Sequence, residues 1–387
     1  MNRIALAIGL TACFLGASKL PAQATPIDWA ALARESQAVL SDYLRVNTTN
    51  PPGNEILGAR FLKAILDREG IEARILDTTE LGPNRANLYA RLRGGKRAIA
   101  LVNHLDVVPA TPASWSVDPF SGEVKDGYIW GRGAIDMKGN GIAQLMAMIA
   151  LKRSGVPLTR DIVFIGNADE ELGSMGAIVF VKQHPDLIRD VEYLLTEGAD
   201  NVLDERGNVV YFAVGVSEKR TFWQHLTVNG VPSHGSRPTK QNPVPRLVAA
   251  LYRISQYETP LHLTPGVDKF FRDIARTYPE PQRSWLSNVS AALENPRVKD
   301  WILSDVSWNA VLRNTISLTG LAGSNKINVI PGVATADIDV RLLHDQDTTE
   351  FLRMLEKIVG DTAVHFTHLG NTKAPLESPI NTVLSGR

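Results

Sequence analysis

The segment VNHLDVVP, residues 102–109, ends an apolar run with a histidine and an aspartate two positions apart, His104 and Asp106. Imidazole is a common ligand of divalent metal ions, and a carboxylate on the same side of an extended segment can accept a hydrogen bond from the other ring nitrogen. Alone, the pair is weak evidence, because strands that end at the surface often carry polar residues. Its meaning depends on which other side chains reach the same place.

Further acidic residues follow other apolar runs: Asp169, Glu170 and Glu171 after RDIVFIG, and Glu197 after VEYLL. Asp136 lies in WGRGAIDMKGNG, whose glycines permit tight turns before a helix. Ligands of an open parallel sheet bind beyond the carboxyl ends of its strands, so these acids are expected to converge at one edge. Converging carboxylates repel one another unless a multivalent cation neutralises them. The alternative for each of these acids is an ordinary position on the solvated surface, without a functional role.

Histidine combined with carboxylates favours zinc over calcium or magnesium, which prefer shells of oxygen ligands. Cobalt or manganese could occupy the same ligands. The glycines near Asp136 match neither a phosphate-binding P-loop nor a complete dinucleotide-binding motif, so no nucleotide site is expected. The sequence therefore predicts a metal site.

The elements that must position these residues are helices alternating with strands. Apolar residues at helical spacing predict amphipathic helices, and short apolar runs between helices predict buried parallel strands. The predicted helices cover residues 29–46, 55–70 and 141–155, and the predicted strands lie within 97–108, 160–170 and 191–199. This pattern indicates an α/β fold with a mixed, mostly parallel sheet and helices on both faces.

From about residue 214 the pattern changes. Residues 220–238 and 314–343 are typical of antiparallel strands, and a long helical, proline-interrupted stretch lies between them. A helix at 348–360 and a strand at 363–369 follow. We predict a separate α+β unit.

Composition restricts the class of protein. Of 387 residues, 44% are hydrophobic and 21% are charged, which is typical of a globular protein with room for two domains. Lys and Arg together number 41, as do Asp and Glu, so no strong field favours nucleic acid or an acidic membrane surface. The expected partner is a small molecule.

The N-terminus has a short basic region, an apolar stretch and the small-residue pattern Ala22-Gln23-Ala24. Residues 1–24 are therefore predicted to be a cleaved signal peptide, and the mature protein to be periplasmic or secreted. Lipoprotein processing at Cys13 is the alternative, which the apolar residues after Cys13 disfavour. Cleavage after Ala24 removes the only cysteine, so disulfides are not expected.

The segments HLDVVP, WSVDPFSGEVKDGYIWGRGAIDMKG, ADEELGSMGA and TEGA together resemble the metallopeptidase family of carboxypeptidases G and S, acetylornithine deacetylase and succinyl-diaminopimelate desuccinylase. The resemblance runs from about residue 35 to the end. It implies a zinc-peptidase-like catalytic domain in two parts, residues 25–213 and 334–387, the second incomplete at its C-terminus. Residues 214–333 would be an inserted α+β lid and dimerisation domain, which implies a homodimer.

The resemblance also implies a site for two zinc ions. His104 and Glu197 would be terminal ligands of one ion and Glu171 a terminal ligand of the other, while Asp136 would bridge the two. The peptide bond between Asp136 and Met137 would be cis, as in the family.

By the same resemblance, Glu170 would be the general base that takes a proton from metal-bound water and passes it to the leaving nitrogen. Asp106 would orient His104. The implied reaction is hydrolysis of an amide bond next to a free carboxylate, in a peptide or an N-acyl amino acid. The enzyme would be a metallocarboxypeptidase, a dipeptidase or an aminoacylase.

In the lid, His234 of GVPSHGSRP matches the family histidine that reaches the active site of the neighbouring subunit. The alternative for His234 is a turn histidine packed locally. Asn328 and Arg341 of NVIPGVATADIDVRLL match positions that hold the substrate. A guanidinium at position 341 can hold a carboxylate through two parallel hydrogen bonds.

The family also has a last metal-ligating histidine, whose position would lie beyond Arg387. The second metal site is therefore expected to be one ligand short, and the sheet to lack its last strands; His365 and His368 are not expected to replace that ligand. The alternative is a metal- or peptide-binding protein without turnover. An exported interaction module and a zinc aminopeptidase of related fold are the other hypotheses, although the aminopeptidase does not explain the insertion that carries His234.

Overall fold

The computed structural model describes residues 24–199, 201–370 and 376–382. They divide into two compact units, the first ending at Glu197 and the second beginning at Gly198. The predicted signal peptide lies outside the described residues, apart from Ala24. Among the helices described, none combines the length and the apolar character needed to cross a bilayer.

The first unit alternates helices and strands, as its apolar pattern predicts. Its helices are α1 (Trp29–Leu44), α2 (Glu55–Arg68), α3 (Lys138–Ser154), α4 (Glu170–Gly173) and α5 (Met175–Gln183). Its strands are β1 (Glu72–Asp77), β2 (Ala86–Leu92), β3 (Ala98–His104), β4 (Glu123–Lys125), β5 (Tyr128–Trp130), β6 (Asp161–Asn167) and β7 (Val191–Leu195).

Five of these strands form one sheet, in the order β1-β2-β6-β3-β7. Strand β3 is parallel to both β6 and β7, whereas β2 is antiparallel to both β1 and β6. All the strands of this sheet except β2 therefore run in one direction. The predicted mixed, mostly parallel sheet is confirmed.

Both faces of this sheet are covered by apolar side chains. Leu88 and Phe164 face one side, where they pack with residues of α2 and α3. Tyr89 and Val163, one position along in each strand, face the other side and pack with Phe180 of α5. This alternation follows from the two-residue period of a strand. It places helices on both faces, as predicted.

The second unit begins with short strands and a run of helices. Its strands are β8 (Asn201–Leu203), β9 (Val209–Phe212), β10 (Arg220–Thr221), β11 (Trp223–Asn229), β12 (Ser233–His234), β13 (Thr315–Ala322), β14 (Val329–Ile330), β15 (Val333–Leu342) and β16 (Val364–Leu369). Its helices are α6 (Pro243–Ser255), α7 (Pro265–Ile274), α8 (Gln282–Ser287), α9 (Val289–Ala292), α10 (Pro296–Ser304), α11 (Val306–Val311) and α12 (Thr348–Val359).

Strand β15 is the centre of the second sheet and pairs antiparallel with β10, β11 and β13, while β11 also pairs with β16. Leu226, Ile338 and Val340 lie on the face that packs with α6 and α12. Helices α7 to α11 enclose a separate core around Phe271 and Trp308. The predicted α+β character of this part of the chain is confirmed.

Residue 334, at which the second part of the catalytic domain was predicted to begin, lies within β15 of the second sheet. Strand β16 also pairs in that sheet, and α12 packs beside α6 in its core. Antiparallel pairing thus keeps residues 333–369 with the second unit. The sequence pattern alone does not show which strand a new strand will join.

Asp161 fixes the start of β6, the strand that leads to the acidic segment 169–171. Its carboxylate accepts hydrogen bonds from the amides of Gly94 (2.8 Å) and Gly95 (3.0 Å) and from Nε of Arg91 (2.7 Å). Burial disfavours the ionised carboxylate, but these hydrogen bonds outweigh burial and lower the pKa of Asp161 to about 2.

We predict that Asp161→Asn lowers the free energy of unfolding at neutral pH by about 2 kcal/mol. The folded-state pKa lies below the unfolded value, so this stabilisation is complete above about pH 4 and is lost as the pH falls through about 2. Urea unfolding across this range measures the difference from wild type, and Asp126→Asn, at an exposed turn, is the control. A difference that does not change with pH would contradict the assignment.

Candidate metal centre

The candidate centre lies at the carboxyl edge of the first sheet. Strand β3 ends at His104, which pairs with Asn167 at the end of the parallel strand β6. Glu170 follows β6 by three residues, and Glu197 follows β7 by two. The parallel strands therefore deliver these side chains to one edge, as predicted from the sequence.

The His104 imidazole is the centre of this cluster. It is 3% exposed, and its Nε2 atom lies 2.9 Å from Oδ1 of Asp136 and 3.7 Å from Oε2 of Glu197. Two sets of potential ligand atoms lie within 4.8 Å of one another: His104 with Asp136 and Glu171, and His104 with Glu170 and Glu197. The structure thus brings together all the predicted ligands and the predicted base.

Asp136 is held by the turn that precedes α3. The amide of Lys138 donates to the carbonyl of Gly133 (2.8 Å), and the peptide bond between Asp136 and Met137 is cis, as the resemblance implies. Lys138 itself is fully buried, and its ammonium donates to the Val46 carbonyl (2.5 Å) near the end of α1. The Asp136 side chain is 65% exposed and lies beside His104.

Asp106 contacts His104 in a different way from the one expected. The imidazole Nδ1 lies 2.9 Å from the backbone carbonyl of Asp106, whereas the nearer carboxylate oxygen is 3.6 Å away. The carboxylate instead accepts hydrogen bonds from the amides of Glu170 and Glu171, both at 3.1 Å. These are first-turn amides of α4, which have no partner inside the helix. Asp106 therefore orients the histidine through its backbone and holds the acidic turn through its side chain.

The electrostatics show an excess of negative charge. Burial, together with the charge of the Asp136 carboxylate, raises the pKa of Glu171 to about 7. Burial also raises the pKa of Glu170, as do the charges of Glu197, Asp106 and Asp136. Burial disfavours the protonated imidazole, but contacts with Asp106 and Glu197 outweigh burial and raise the pKa of His104 to about 11. Cationic charge is therefore strongly favoured at this position.

This donor set fits a divalent cation such as zinc. It offers one imidazole nitrogen together with oxygens from several carboxylates, and these ligand types suit borderline divalent ions. A cation would also neutralise the carboxylates whose ionisation their mutual repulsion now opposes.

The predicted substrate residues all lie in the second unit. His234 of β12 pairs with Val329 of β14, and the amide of Gly235 donates to the Asn328 carbonyl (2.7 Å), so the structure brings His234 and Asn328 together. The exposed imidazole of His234 lies with its Nδ1 2.8 Å from the hydroxyl of Ser236. Arg341 lies outside this two-stranded pair, on β15 of the larger sheet.

A further group of polar residues beneath the centre was not predicted from the sequence. Asn50, Glu55 and Arg85 are each no more than 6% exposed, and they connect to Asp106 and Asp169 by hydrogen bonds. Nothing in the local hydrophobic pattern distinguishes them from surface residues. The one signal in their neighbourhood is the sequence NPPG at residues 50–53, which predicts a constrained turn.

Comparison with known proteins assigns the class. Residues 100–352 match the model of a family described as peptidase family M20/M25/M40. The match covers more than half of the chain, so the protein belongs to this family. The sequence motifs around His104, Asp136, Glu170 and Glu197 indicated the same family.

Individual relatives agree with this assignment. The N-fatty-acyl-amino acid synthase/hydrolase PM20D1 of Xenopus tropicalis is 33% identical over 276 residues, which are 70% of this chain and 53% of the relative. A probable carboxypeptidase S-like 2 of Dictyostelium discoideum is 28% identical over 295 residues, 75% of this chain and 56% of the relative. The chain thus spans about half the length of these curated relatives.

The fold also resembles a solved structure, the M20 family metallo-carboxypeptidase Sso-CP2 of Sulfolobus solfataricus. The TM-score is 0.66 at 20% sequence identity, and the alignment covers 91% of this chain and 81% of that one. At this level of identity the similarity supports the fold.

We predict that zinc stabilises the protein through His104. At a free zinc concentration of about 100 times its dissociation constant, the free energy of unfolding should rise by about 2.7 kcal/mol, which thermal unfolding detects as a higher Tm. The increase should be lost in His104→Ala and retained in His365→Ala, which changes an exposed histidine of β16. An equal zinc effect in His104→Ala would place the binding site elsewhere.

Proposed function

We propose that the protein is a zinc-dependent hydrolase that cleaves an amide bond next to a free carboxylate, in a peptide or an N-acyl amino acid. The observation that carries the proposal is the convergence of His104, Asp136, Glu170, Glu171 and Glu197 at one edge of the first sheet. Such a collection of acids around one imidazole is costly without a catalytic cation. Membership of the peptidase family M20/M25/M40 supports the same class of reaction.

The residues that would hold the metal ions are His104 and Glu197 at one site and Glu171 at the other, with Asp136 between them. When bound, the cations would lower the pKa of water and stabilise the negative charge that develops on the substrate carbonyl oxygen.

Glu170 is the proposed general base. It accepts the proton of the attacking water and donates it to the nitrogen of the leaving group. Two features suit it to this role: burial raises its pKa, which makes the carboxylate a stronger base toward the attacking water, and its backbone amide is held by Asp106.

Arg341 is the proposed contact for the free carboxylate of the substrate. Its Nε donates to Oδ1 of Asp339 (2.8 Å), its Nη1 donates to the hydroxyl of Thr221 (3.0 Å), and its guanidinium carbon lies 5.7 Å from the centre of the Trp223 ring. These contacts hold the guanidinium plane in place, and 42% of the side chain stays exposed for a ligand. His234 and Asn328 are proposed as further substrate contacts.

The names of the relatives support this substrate class. One acts on N-fatty-acyl amino acids and another is named a carboxypeptidase, and both kinds of substrate have an amide bond next to a carboxylate. The proposal also includes export, which depends on residues 1–24, and a homodimer that contributes His234 from the neighbouring subunit. Zinc is the proposed metal, and cobalt or manganese would suit the same ligands.

We predict that Glu170→Gln reduces kcat by 10²- to 10⁴-fold, as is typical when a general base is lost. The amide side chain keeps the shape of the residue but cannot take a proton, so zinc content should be close to that of wild type. Hydrolysis of a panel of N-acyl amino acids and dipeptides in the presence of zinc measures the effect. Glu123→Gln, which changes an exposed glutamate of β4, is the matched control. Equal activity in Glu170→Gln would contradict the assigned role.

We also predict that Arg341→Met raises KM for a substrate with a free carboxylate by about 10- to 100-fold, which corresponds to the loss of a charge-assisted hydrogen bond of about 1.5–3 kcal/mol. The same substrate with its carboxylate amidated should bind wild type and variant equally. Steady-state kinetics on both substrates tests the contact. A similar loss on both substrates would show that Arg341 acts through the structure of β15 instead.

A further inference from the structure

A layer of polar side chains lies beneath the candidate metal centre. Its members are Asn50, Glu55, Arg85, Asp106 and Asp169, and none of them is more than 8% exposed. We refer to these five residues as the buried polar layer. They come from separate parts of the chain: the loop before α2, the start of α2, the loop before β2, and the segments that follow β3 and β6.

Asn50 connects the two halves of this layer. Its Nδ2 donates to Oδ2 of Asp106 (2.8 Å) and to Oδ1 of Asp169 (3.1 Å), while its Oδ1 accepts from Nη2 of Arg85 (2.8 Å). Both hydrogens of the amide and its carbonyl oxygen thus have partners. The side chain is 1% exposed, so water does not readily replace these partners.

Arg85 supplies the positive charge of the layer. Its Nη1 donates to Oε1 of Glu55 (2.7 Å) and to Oδ1 of Asp169 (2.9 Å). Gly53 lies directly against the guanidinium: a Cβ atom built at this position would be 2.4 Å from the Cζ atom of Arg85, and the φ angle of Gly53 is +81°. Glycine is therefore required there both for space and for backbone conformation.

The buried polar layer ends at the acidic turn. Asp169 has a left-handed backbone conformation, with φ of 61°, and it immediately precedes Glu170. The amides of Glu170 and Glu171 donate to the Asp106 carboxylate, which Asn50 also holds. Asn50 therefore reaches the acidic turn by two routes, one through Asp106 and the other through Asp169.

We propose that Asn50 is a positioning residue for the metal centre. By joining Asp106 to Asp169, it fixes the backbone of Glu170 and Glu171 and so sets where the proposed base and one proposed ligand project. Helix α4 has only four residues, so it cannot hold this geometry by its own hydrogen bonds. The inference rests on the proposed function only for the identity of the ligands and the base.

The variants that test this role are Asn50→Ala and, as a separate single variant, the milder Arg85→Lys. Alanine removes both donors, whereas lysine keeps one charge but cannot reach Glu55, Asp169 and Asn50 in one planar arrangement. Asn314→Ala is the matched control. Asn314 is 7% exposed and has comparable hydrogen bonds, to Gln346 (2.8 Å) and from the amide of Leu343 (2.7 Å), but it lies in the second unit.

Two measurements separate positioning from a general loss of stability. The first is hydrogen–deuterium exchange of the metal-free protein at residues 168–173, which reports whether the amides of Glu170 and Glu171 stay protected. The second is zinc affinity per folded molecule, measured by titration, together with the visible absorption spectrum of the cobalt-loaded protein, which reports ligand geometry. Circular dichroism gives the folded fraction of each variant.

In Asn50→Ala we expect at least tenfold faster exchange in this segment and zinc binding weakened by about 10- to 100-fold, as for other residues that support metal ligands. Arg85→Lys should show the same changes to a smaller extent, and it decides the question if Asn50→Ala does not fold. Asn314→Ala should match wild type in both measurements despite a lower Tm.

Wild-type exchange and zinc affinity in a folded Asn50→Ala or Arg85→Lys protein would overturn the proposal, and the proposed hydrolase function would be unaffected. Asn50-dependent exchange and zinc affinity in a protein that hydrolyses none of the amide substrates would instead overturn the proposed function and support the positioning role.

Discussion

Repulsion among carboxylates around one buried imidazole is the constraint on which the first unit depends. Parallel strands end at the same edge of a sheet, so acids that follow β6 and β7 meet the histidine that ends β3. Burial raises the pKa values of Glu170 and Glu171, and the charges of neighbouring carboxylates act in the same direction. The site is stable in ionised form only with compensating positive charge, and this requirement links the geometry of the sheet to metal chemistry.

Other residues of the first unit hold the mutually repelling carboxylates in position. Asp106 contributes two contacts: its backbone carbonyl lies against His104, and its carboxylate holds the turn that carries Glu170. Arg85 balances part of the negative charge by pairing with Glu55 and Asp169, in a buried region where an unpaired charge would be strongly destabilising. In the second unit, successive side chains of β15 point to opposite faces of the sheet. Val340 is therefore buried against the helices, whereas the next residue, Arg341, lies on the other face and is partly exposed.

The features predicted from the sequence are those encoded locally. Apolar runs identified β3, β6 and β7, and the polar residues that follow strand ends identified His104 and Glu170, because strand direction and ligand position are linked in parallel sheets. The family resemblance supplied the individual roles. The position of β15 in the second sheet was harder to predict, because one of its partners, β11, lies more than one hundred residues earlier in the sequence, although the nearby β13 also pairs with it.

The buried polar layer was missed for a related reason. Glu55 at a helix start and Arg85 in a loop have the sequence features of surface residues, and only the tertiary fold buries both. The contact of Asp106 was predicted in part: the two-residue spacing correctly places it next to His104. Whether the backbone or the side chain makes the hydrogen bond depends on what else competes for the carboxylate, here the amides of α4.

The close approach of Gly53 to Arg85 has a consequence for how this family can vary. A side chain at position 53 would displace the guanidinium, so a residue larger than glycine there requires both a shorter residue at position 85 and a different backbone conformation of the turn. Among homologues, a residue larger than glycine at position 53 should therefore occur together with a smaller or shorter residue at position 85. Such a joint replacement would remove the cation that pairs with Glu55 and Asp169. It would therefore identify the lineages in which the buried polar layer has changed.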